Sequence, residues 1–141
     1  MAGEYGARKL KAKRRKYRWK KANYRNRILQ LKKRKDPFGG APQAKGIVLE
    51  KKMVEQKQPH SGLIKAVRVR LLKNGKEVTA HVPRTGAIKC IGEHDQVLLE
   101  GMGGSQHGAV GSMWGIKWRV IAVNNIPLEL IRTGKKQKPV K

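Results

Sequence analysis

Hydrophobic residues recur along this chain with two different spacings, and the change of spacing divides it into two parts. Between residues 7 and 34 they return about every seven residues, with no proline or glycine in between. This spacing predicts an amphipathic helix with a narrow apolar stripe. The stripe consists of Leu10, Tyr17, Tyr24, Ile28 and Leu31. From Gly46 onward apolar and polar residues alternate with a period of two, so a β domain is expected to follow the helix.

Five short strands are predicted in this β domain. They are expected at Gly46–Glu50, Val67–Leu71, Val78–Val82, Asp95–Glu100 and Ile116–Val123. Asn74-Gly75 lies between the second and third strands, and this dipeptide is a strong signal for a tight hairpin. Five short strands with one tight hairpin and longer loops elsewhere predict a mainly β protein built on a small five-stranded barrel of the oligonucleotide-binding (OB) type.

The charge of the chain is large and unevenly distributed. Its formal net charge is +25, from 34 Lys and Arg against 9 Asp and Glu, and residues 1–35 hold 16 of the bases with Glu4 as their single acid. Such self-repulsion calls for a polyanion, and nucleic acid is the usual one. An arm of this kind is expected to fold on RNA, although a merely solvated helix face is the alternative. The proposed RNA-binding residues of the arm are Arg8, Lys9, Lys11, Lys13, Arg14, Arg15, Lys16, Arg18, Lys20, Lys21, Arg25 and Arg27.

Proline and glycine residues mark the end of the arm. Asp36-Pro37 is expected to end the helix, because proline disfavours α geometry in the residue before it. Phe38 follows in an irregular connector, and we interpret it as a hydrophobic plug rather than a base-stacking ring. Three segments are therefore expected: a basic arm and connector at 1–42, the barrel at 43–133, and a short basic C-terminal tail at 134–141.

Several classes of protein do not fit the sequence. No apolar run approaches the ~20 residues of a membrane-spanning helix, and the polar, basic N-terminus lacks the pattern of a signal peptide. Cys90 alone cannot form an internal disulfide or supply a thiolate zinc site. The four histidines lack metal-ligand spacing, and His81 is interpreted as an inert strand residue. We therefore expect no enzyme, metal, cofactor or small-molecule substrate.

The loops that join strands one and two and strands four and five lie close together in this kind of barrel and do much of its binding. The first of them, Lys51–Leu63, contains a stiff polar tip. Pro59 fixes φ there, while His60 and Ser61 offer short hydrogen-bonding groups. Lys57 can pair with a phosphate. Readout of an RNA minor groove uses such parts, but an ordinary polar turn is the alternative.

The second loop, Gly101–Gly115, holds six glycines, which let its backbone approach another backbone closely. It lacks the Gly-Lys-Ser/Thr ending of a nucleotide-binding P-loop, so an NTPase is a poor interpretation. Trp114 in this loop either stacks on a base or leans on the rim of the barrel.

Long stretches of the chain resemble the universal small-subunit ribosomal protein twelve family, in its archaeal and eukaryotic form. The stretches are Asp36–Lys51, Lys57–Ser61, Arg68–Ala80, Glu93–Asp95, the glycine-rich loop and Gly134–Pro139. The resemblance implies the barrel inferred above, an arm threaded through small-subunit rRNA, and a position at the subunit interface beside the A site. It also implies neighbouring small-subunit ribosomal proteins, proximity to the mRNA codon and A-site tRNA, and a cytoplasmic location.

The resemblance further implies two loops at the decoding centre. The family's Lys-x-Pro-Asn-Ser loop corresponds to Lys57, Gln58, Pro59, His60 and Ser61. Its Gly-Asp-Ile-Pro-Gly-Val-Arg loop corresponds to Gly111, Ser112, Met113, Trp114, Gly115, Ile116 and Lys117. In eukaryotic members the loop proline is a hydroxylation site, which makes Pro59 a candidate. This chain departs from the family by His60 for Asn, Gly62 for Ala, Ser112 for Asp and Trp114 for Pro.

These observations together predict a structural constituent of the small ribosomal subunit that binds rRNA near the A site and supports decoding accuracy. The alternative is a free single-strand-binding or RNA-chaperone module of OB type. Such a module should carry surface aromatics on its strands, whereas aromatic residues make up 5% of this chain. A His- and Ser-dependent RNA-processing enzyme lacks a patterned base partner for Ser61.

Overall fold

The structure, a computed structural model, describes residues 6–139 apart from the side chain of His107. The chain forms two compact units, residues 1–40 and residues 41–141. Residues 1–5 of the predicted arm and residues 140–141 of the predicted tail lie outside the described residues.

The arm contains three helices, so the prediction of one continuous helix over 7–34 is wrong. They are α1 (Gly6–Lys20), α2 (Ala22–Ile28) and α3 (Leu31–Lys35). The backbone leaves helical geometry at Lys21, where ψ is 120°, and turns left-handed at Gln30, where φ is 49°. Neither residue is a helix breaker by type, which is why the sequence pattern did not reveal the two interruptions.

Aromatic packing accompanies the first interruption. The rings of Trp19 and Tyr24 meet edge to face with centroids 5.5 Å apart, and the Arg18 guanidinium lies 4.8 Å from the centre of the Tyr24 ring. The described helices α1 to α3 bury no side chain, and Leu10 and Tyr17 are 61% and 54% exposed. The predicted apolar stripe is therefore present in sequence but is divided between helices and solvent-accessible.

The arm ends as predicted. Helix α3 stops at Lys35, and Asp36 before Pro37 has an extended backbone with φ −72° and ψ 122°. The Asp36 carboxylate accepts hydrogen bonds from the N–H groups of Phe38 and Gly40, both at 2.9 Å, which fixes the turn that follows. Phe38 is 3% exposed, as expected of a hydrophobic plug and not of a ring that stacks on a base.

Six strands form the β unit. They are β1 (Gln43–Glu55), β2 (Leu63–Leu71), β3 (Glu77–His81), β4 (Gln96–Gly101), β5 (Trp118–Val123) and β6 (Ile126–Pro127), followed by helix α4 (Leu128–Arg132). The antiparallel order is β3-β2-β1-β4-β5-β6, and a parallel pairing of β3 with β5 brings the strands round into a ring that is not a regular barrel. The predicted mainly β, OB-like fold class is confirmed. The short β6 and α4 carried no recognisable pattern and were not predicted.

The hairpin at Asn74-Gly75 is confirmed, but several predicted strand boundaries are wrong, since β1 runs from Gln43 to Glu55 and β2 already begins at Leu63. Strands β1 and β2 continue their antiparallel pairing as far as Glu55 and Leu63, so the first loop is seven residues, 56–62, rather than 51–63. The exposed Lys51, Lys52 and Glu55 conceal this extension, because both faces carry polar side chains there. The fifth strand begins at Trp118 instead of Ile116.

The core lies inside the ring and is lined by alternating residues of the strands. Val48, Val67, Val69 and Leu99 lose all solvent contact there. Gly46 is buried where β1 passes β2, and a Cβ at this position would lie 2.4 Å from Cγ1 of Val69. The close approach of these two strands therefore requires a residue without a side chain.

A buried carboxylate holds the C-terminal tail against the β unit. Asp95 is 4% exposed and accepts hydrogen bonds from the Gly92 N–H (2.6 Å), the Asn124 amide (3.2 Å) and the Lys138 ammonium. Burial alone would raise the pKa of Asp95, but the Lys138, Gly92 and Asn124 donors outweigh it and hold the pKa below its ordinary value. The sequence pattern offered Asp95 only as the start of a strand.

Candidate nucleic-acid interface

The first predicted loop is a short tip on the β1–β2 hairpin. Its ends are joined by the Gln56 N–H, which donates to the Gly62 carbonyl at 3.0 Å. Within the tip the His60 N–H donates to the Lys57 carbonyl at 3.0 Å, and the Gln58–Pro59 peptide bond is cis. Every residue from 57 to 62 is exposed. The backbone is thus fixed internally while the side chains of the tip face solvent.

The structure brings the second predicted loop against this tip. The Lys57 N–H donates to the Ser112 carbonyl at 2.9 Å, and Gln56 pairs with Met113 in an antiparallel bridge. The Lys57 ammonium lies 5.3 Å from the centre of the Trp114 ring, within the range of a cation–π contact. The two loops that sequence analysis singled out separately therefore form one continuous surface.

A small hydrophobic cluster lies beneath the two loops. Ile64 and Ala66 of β2 and Ile116 of the second loop are buried, and three partly buried side chains pack against them. Those three are Val54, Met102 and Met113. The strands that carry the first loop and the residues in and next to the second loop therefore share one cluster.

Glycines allow the second loop to fold back on itself. A Cβ at Gly104 would lie 2.3 Å from the carbonyl oxygen of Gly108, so the backbone passes itself too closely for a side chain. Gly111 and Gly115, which flank the segment facing Lys57, have φ of +57° and +60°. These left-handed turns define where Ser112, Met113 and Trp114 are presented.

The predicted arm residues belong to the other unit. Arg8, Lys9, Lys11, Lys13, Arg14, Arg15, Lys16, Arg18 and Lys20 are exposed on α1, Lys21 is exposed at the break, and Arg25 and Arg27 are exposed on α2. One face of α1 runs from Arg8 to Trp19 and carries also Lys11, Arg15 and Lys16. Residues three and four apart share a helix face, so this face is strongly cationic.

The histidines are dispersed. His60 is at the exposed tip, whereas His81 is half-buried on β3, where its Nδ1–H donates to the Lys65 carbonyl at 3.2 Å. Burial, with the nearby Arg119 charge, lowers the pKa of His81 despite that hydrogen bond, so it is neutral at pH 7. Among the described side chains, which do not include that of His107, no three from His, Cys, Asp or Glu are grouped so as to hold a metal ion.

No helix in the described part of the chain is long and apolar enough to cross a membrane. A family model described as Ribosomal protein S12/S23 matches residues 31–141, which is more than half of the chain. The chain belongs to this family. It is therefore a ribosomal protein with a structural role in the small subunit, and its location is with the ribosome. Members of such a family typically have no enzymatic activity.

The match covers the whole β unit and both loops of this ribosomal protein. It begins at Leu31, the first residue of α3, so α1 and α2 precede it. The family assignment thus rests on the ring of strands and on the loops.

Proposed function

We propose that this ribosomal protein binds small-subunit rRNA beside the A site and supports the accuracy of decoding. The tip at 57–61 and the segment at 111–117 lie next to the codon–anticodon helix formed by mRNA and A-site tRNA. One observation carries the proposal: the Lys57 N–H to Ser112 carbonyl bond of 2.9 Å joins the two loops beneath an exposed, mostly uncharged tip. A tip that is held in this way is suited to detecting the shape of a neighbouring RNA helix.

The parts of the molecule have different tasks in this proposal. The arm, residues 1–42, neutralises rRNA phosphates, and the barrel, residues 43–133, carries the loops. The tail, residues 134–141, adds further basic contacts. At the tip, His60 and Ser61 offer hydrogen bonds to 2′-hydroxyls and base edges, which are the groups an RNA minor groove displays. The protein works in the cytoplasmic ribosome beside other small-subunit proteins.

Stiffness of the tip is central to the mechanism. Because the tip is fixed by backbone bonds to Gly62 and Ser112, a misplaced helix beside it meets a surface that does not adapt. Acceptance of a tRNA then depends on small changes in how the subunit closes around the codon. A substitution that adds charge or alters the tip backbone should therefore change misreading.

Two substitutions test this role in a cellular misreading reporter. His60→Asp places a negative charge beside RNA, and Ser61→Pro removes a hydroxyl and a backbone N–H; both should alter misreading. The matched control is Asn74→Asp in the β2–β3 turn, at the other end of β2. It adds the same charge and keeps an oxygen that accepts the Lys76 N–H hydrogen bond. Unchanged fidelity for both tip variants, with normal assembly, would contradict the proposal.

Pro59 is the position that we propose for hydroxylation. Its ring is exposed at the tip, where a modifying enzyme has access. A peptide spanning residues 57–61 that carries one added oxygen on Pro59 in a mass spectrum of purified subunits is the expected result. An unmodified peptide throughout the subunit population would contradict it.

A further inference from the structure

The second loop carries an exposed aromatic ring, that of Trp114. Trp114 is 57% exposed, although the preceding residue, Met113, packs partly buried against the cluster of Ile64, Ala66 and Ile116. Its neighbours Met113 and Ile116 pack in that cluster, whereas the indole is presented to solvent. An exposed ring of this size forgoes the hydrophobic stabilisation that burial would provide, and its accessible face is available to a ligand.

The ring is also held in place. The left-handed turns at Gly111 and Gly115 set the path of the segment, and the Gln56–Met113 bridge ties it to the hairpin. The Lys57 ammonium, 5.3 Å from the ring centre, covers part of one face. With more than half of its surface still accessible, the indole offers a flat area at a defined position.

We propose that Trp114 is a stacking platform for an unpaired RNA base, with the ammonium groups of Lys57 and Lys117 holding the adjoining phosphates. Aromatic rings combined with Lys or Arg are the usual components of single-stranded nucleic-acid sites. Lys57 and Lys117 are both exposed, and the +25 net charge favours a polyanion over a basic protein as the occupant. This inference rests on the proposed function and deepens it by naming an extruded base as the ligand of the second loop.

Fluorescence of the full-length chain tests the platform directly. The probes are a short single-stranded RNA and a strand of the same length without bases, which keeps the phosphates. The intact RNA should quench indole fluorescence more than the abasic strand does, and Trp114→Phe should remove that difference. The part of the difference that is lost in Trp114→Phe belongs to Trp114, because Trp19 and Trp118 are present in both proteins.

Affinity gives a second measurement. The ratio of affinities for intact and abasic RNA cancels the phosphate contacts of the arm. This ratio should be retained in Trp114→Phe, which keeps an aromatic ring. It should fall roughly fivefold or more in Trp114→Leu, because leucine keeps the apolar volume but has no ring. Lys117→Ala should weaken binding to both strands alike and reduce the salt dependence by about one phosphate contact. Circular dichroism of each variant confirms that the fold is retained.

Other outcomes decide against the platform. Equal quenching by both strands at saturation, or an unchanged affinity ratio in Trp114→Leu, would overturn it. A change of Trp114 fluorescence that is caused by other small-subunit proteins and not by RNA would overturn it as well. These results differ from failure of the decoding role, which is measured by the misreading reporter with His60 and Ser61 variants. A stacking failure alongside altered misreading would leave the decoding role intact.

Discussion

The two units of this protein reach order by different means. In the β unit Val67, Val69 and Leu99 lose all contact with solvent, whereas the described helices of the arm bury no side chain. Burial of apolar surface is the main favourable contribution to folding. The β unit is therefore stabilised by its own core, whereas the arm depends on a partner for its stability.

Charge separates the two units in the same way. The β unit pairs several of its bases with acids, among them Arg68 with Glu77 at 2.7 Å and Lys52 with Glu50 at 2.9 Å. Helices α1, α2 and α3 contain no acidic residue at all. Phosphates supply the missing negative charge, so the feature that destabilises the isolated arm is the one that makes it bind RNA.

Removal of the arm is expected to have the largest effect. Deletion of residues 1–35 should block incorporation into small subunits, because most of the excess charge is lost with the arm. The thermal unfolding midpoint of the β unit should stay unchanged, since its core is complete without the arm. Quantification of the truncated protein in purified subunits and a melting curve measure the two halves of this prediction. Full occupancy of the truncated protein in mature subunits would refute it.

Truncation of the cluster under the loops should be the next largest effect. Ile116 is 1% exposed, so Ile116→Ala should lower the free energy of unfolding by about 2–5 kcal/mol. The control is Leu63→Ala, at the first residue of β2. Leu63 is 52% exposed, and its truncation should change the free energy of unfolding by no more than about 0.5 kcal/mol. Urea unfolding measures both. Equal effects of the two variants would show that Ile116 does not pack in a buried cluster with β2.

A side chain at Gly46 should disturb the pairing of β1 with β2. Gly46→Ala brings a Cβ within 2.8 Å of the Arg70 carbonyl oxygen as well as against Val69, so the strands must separate. We expect a loss of about 1–3 kcal/mol in urea unfolding. Gly101→Ala at the end of β4 is the control, because a Cβ there meets nothing within 4 Å. A neutral Gly46→Ala would mean that the strands tolerate a wider spacing.

The smallest predicted effect concerns Asp95 and the pH dependence of stability. Its pKa is lower in the folded chain than its ordinary 3.8, so the folded state favours the carboxylate. This contribution is complete above the ordinary pKa and is lost as the pH falls through the folded value. Asp95→Asn should cost about 1–2 kcal/mol at pH 7 and flatten the acid limb of a urea stability profile. A parallel profile for Glu129→Gln, which breaks an exposed pair with Arg132, serves as the control. If Asp95→Asn loses stability at low pH as steeply as the unchanged protein does, other carboxylates cause that loss.

Local patterns predicted the β unit well and its long-range details poorly. Alternation in Val67, Val69 and Leu71 and the Asn74-Gly75 turn were sufficient for the hairpin, because both signals are confined to adjacent residues. The extension of β1 to Glu55 was missed, since its pairing is determined by the partner strand and not by its own exposed side chains. The breaks in the arm helix at Lys21 and Gln30 were missed as well, because neither residue type is a helix breaker.

The candidate site was predicted in its parts but not in its connections. Sequence and resemblance indicated Lys57 and Trp114 separately, and only the folded chain shows the ammonium over the indole. The ion pair of Asp95 with Lys138 spans 43 positions of the sequence and left no local signal. The roles of His60 and Ser61 in decoding stay predictions that the misreading reporter will test.

The parallel contact of β3 with β5 has a consequence for biosynthesis. It joins Ala80 to Trp118 and His81 to Arg119, so the ring cannot close until the chain has left the translating ribosome at least as far as Arg119. Nascent β1, β2 and β3 can pair early as a meander, but closing a loop of that length is slow compared with forming adjacent hairpins. During that interval the edge of β3 is open, and a cell making this protein in quantity has to prevent unfinished copies from pairing with one another.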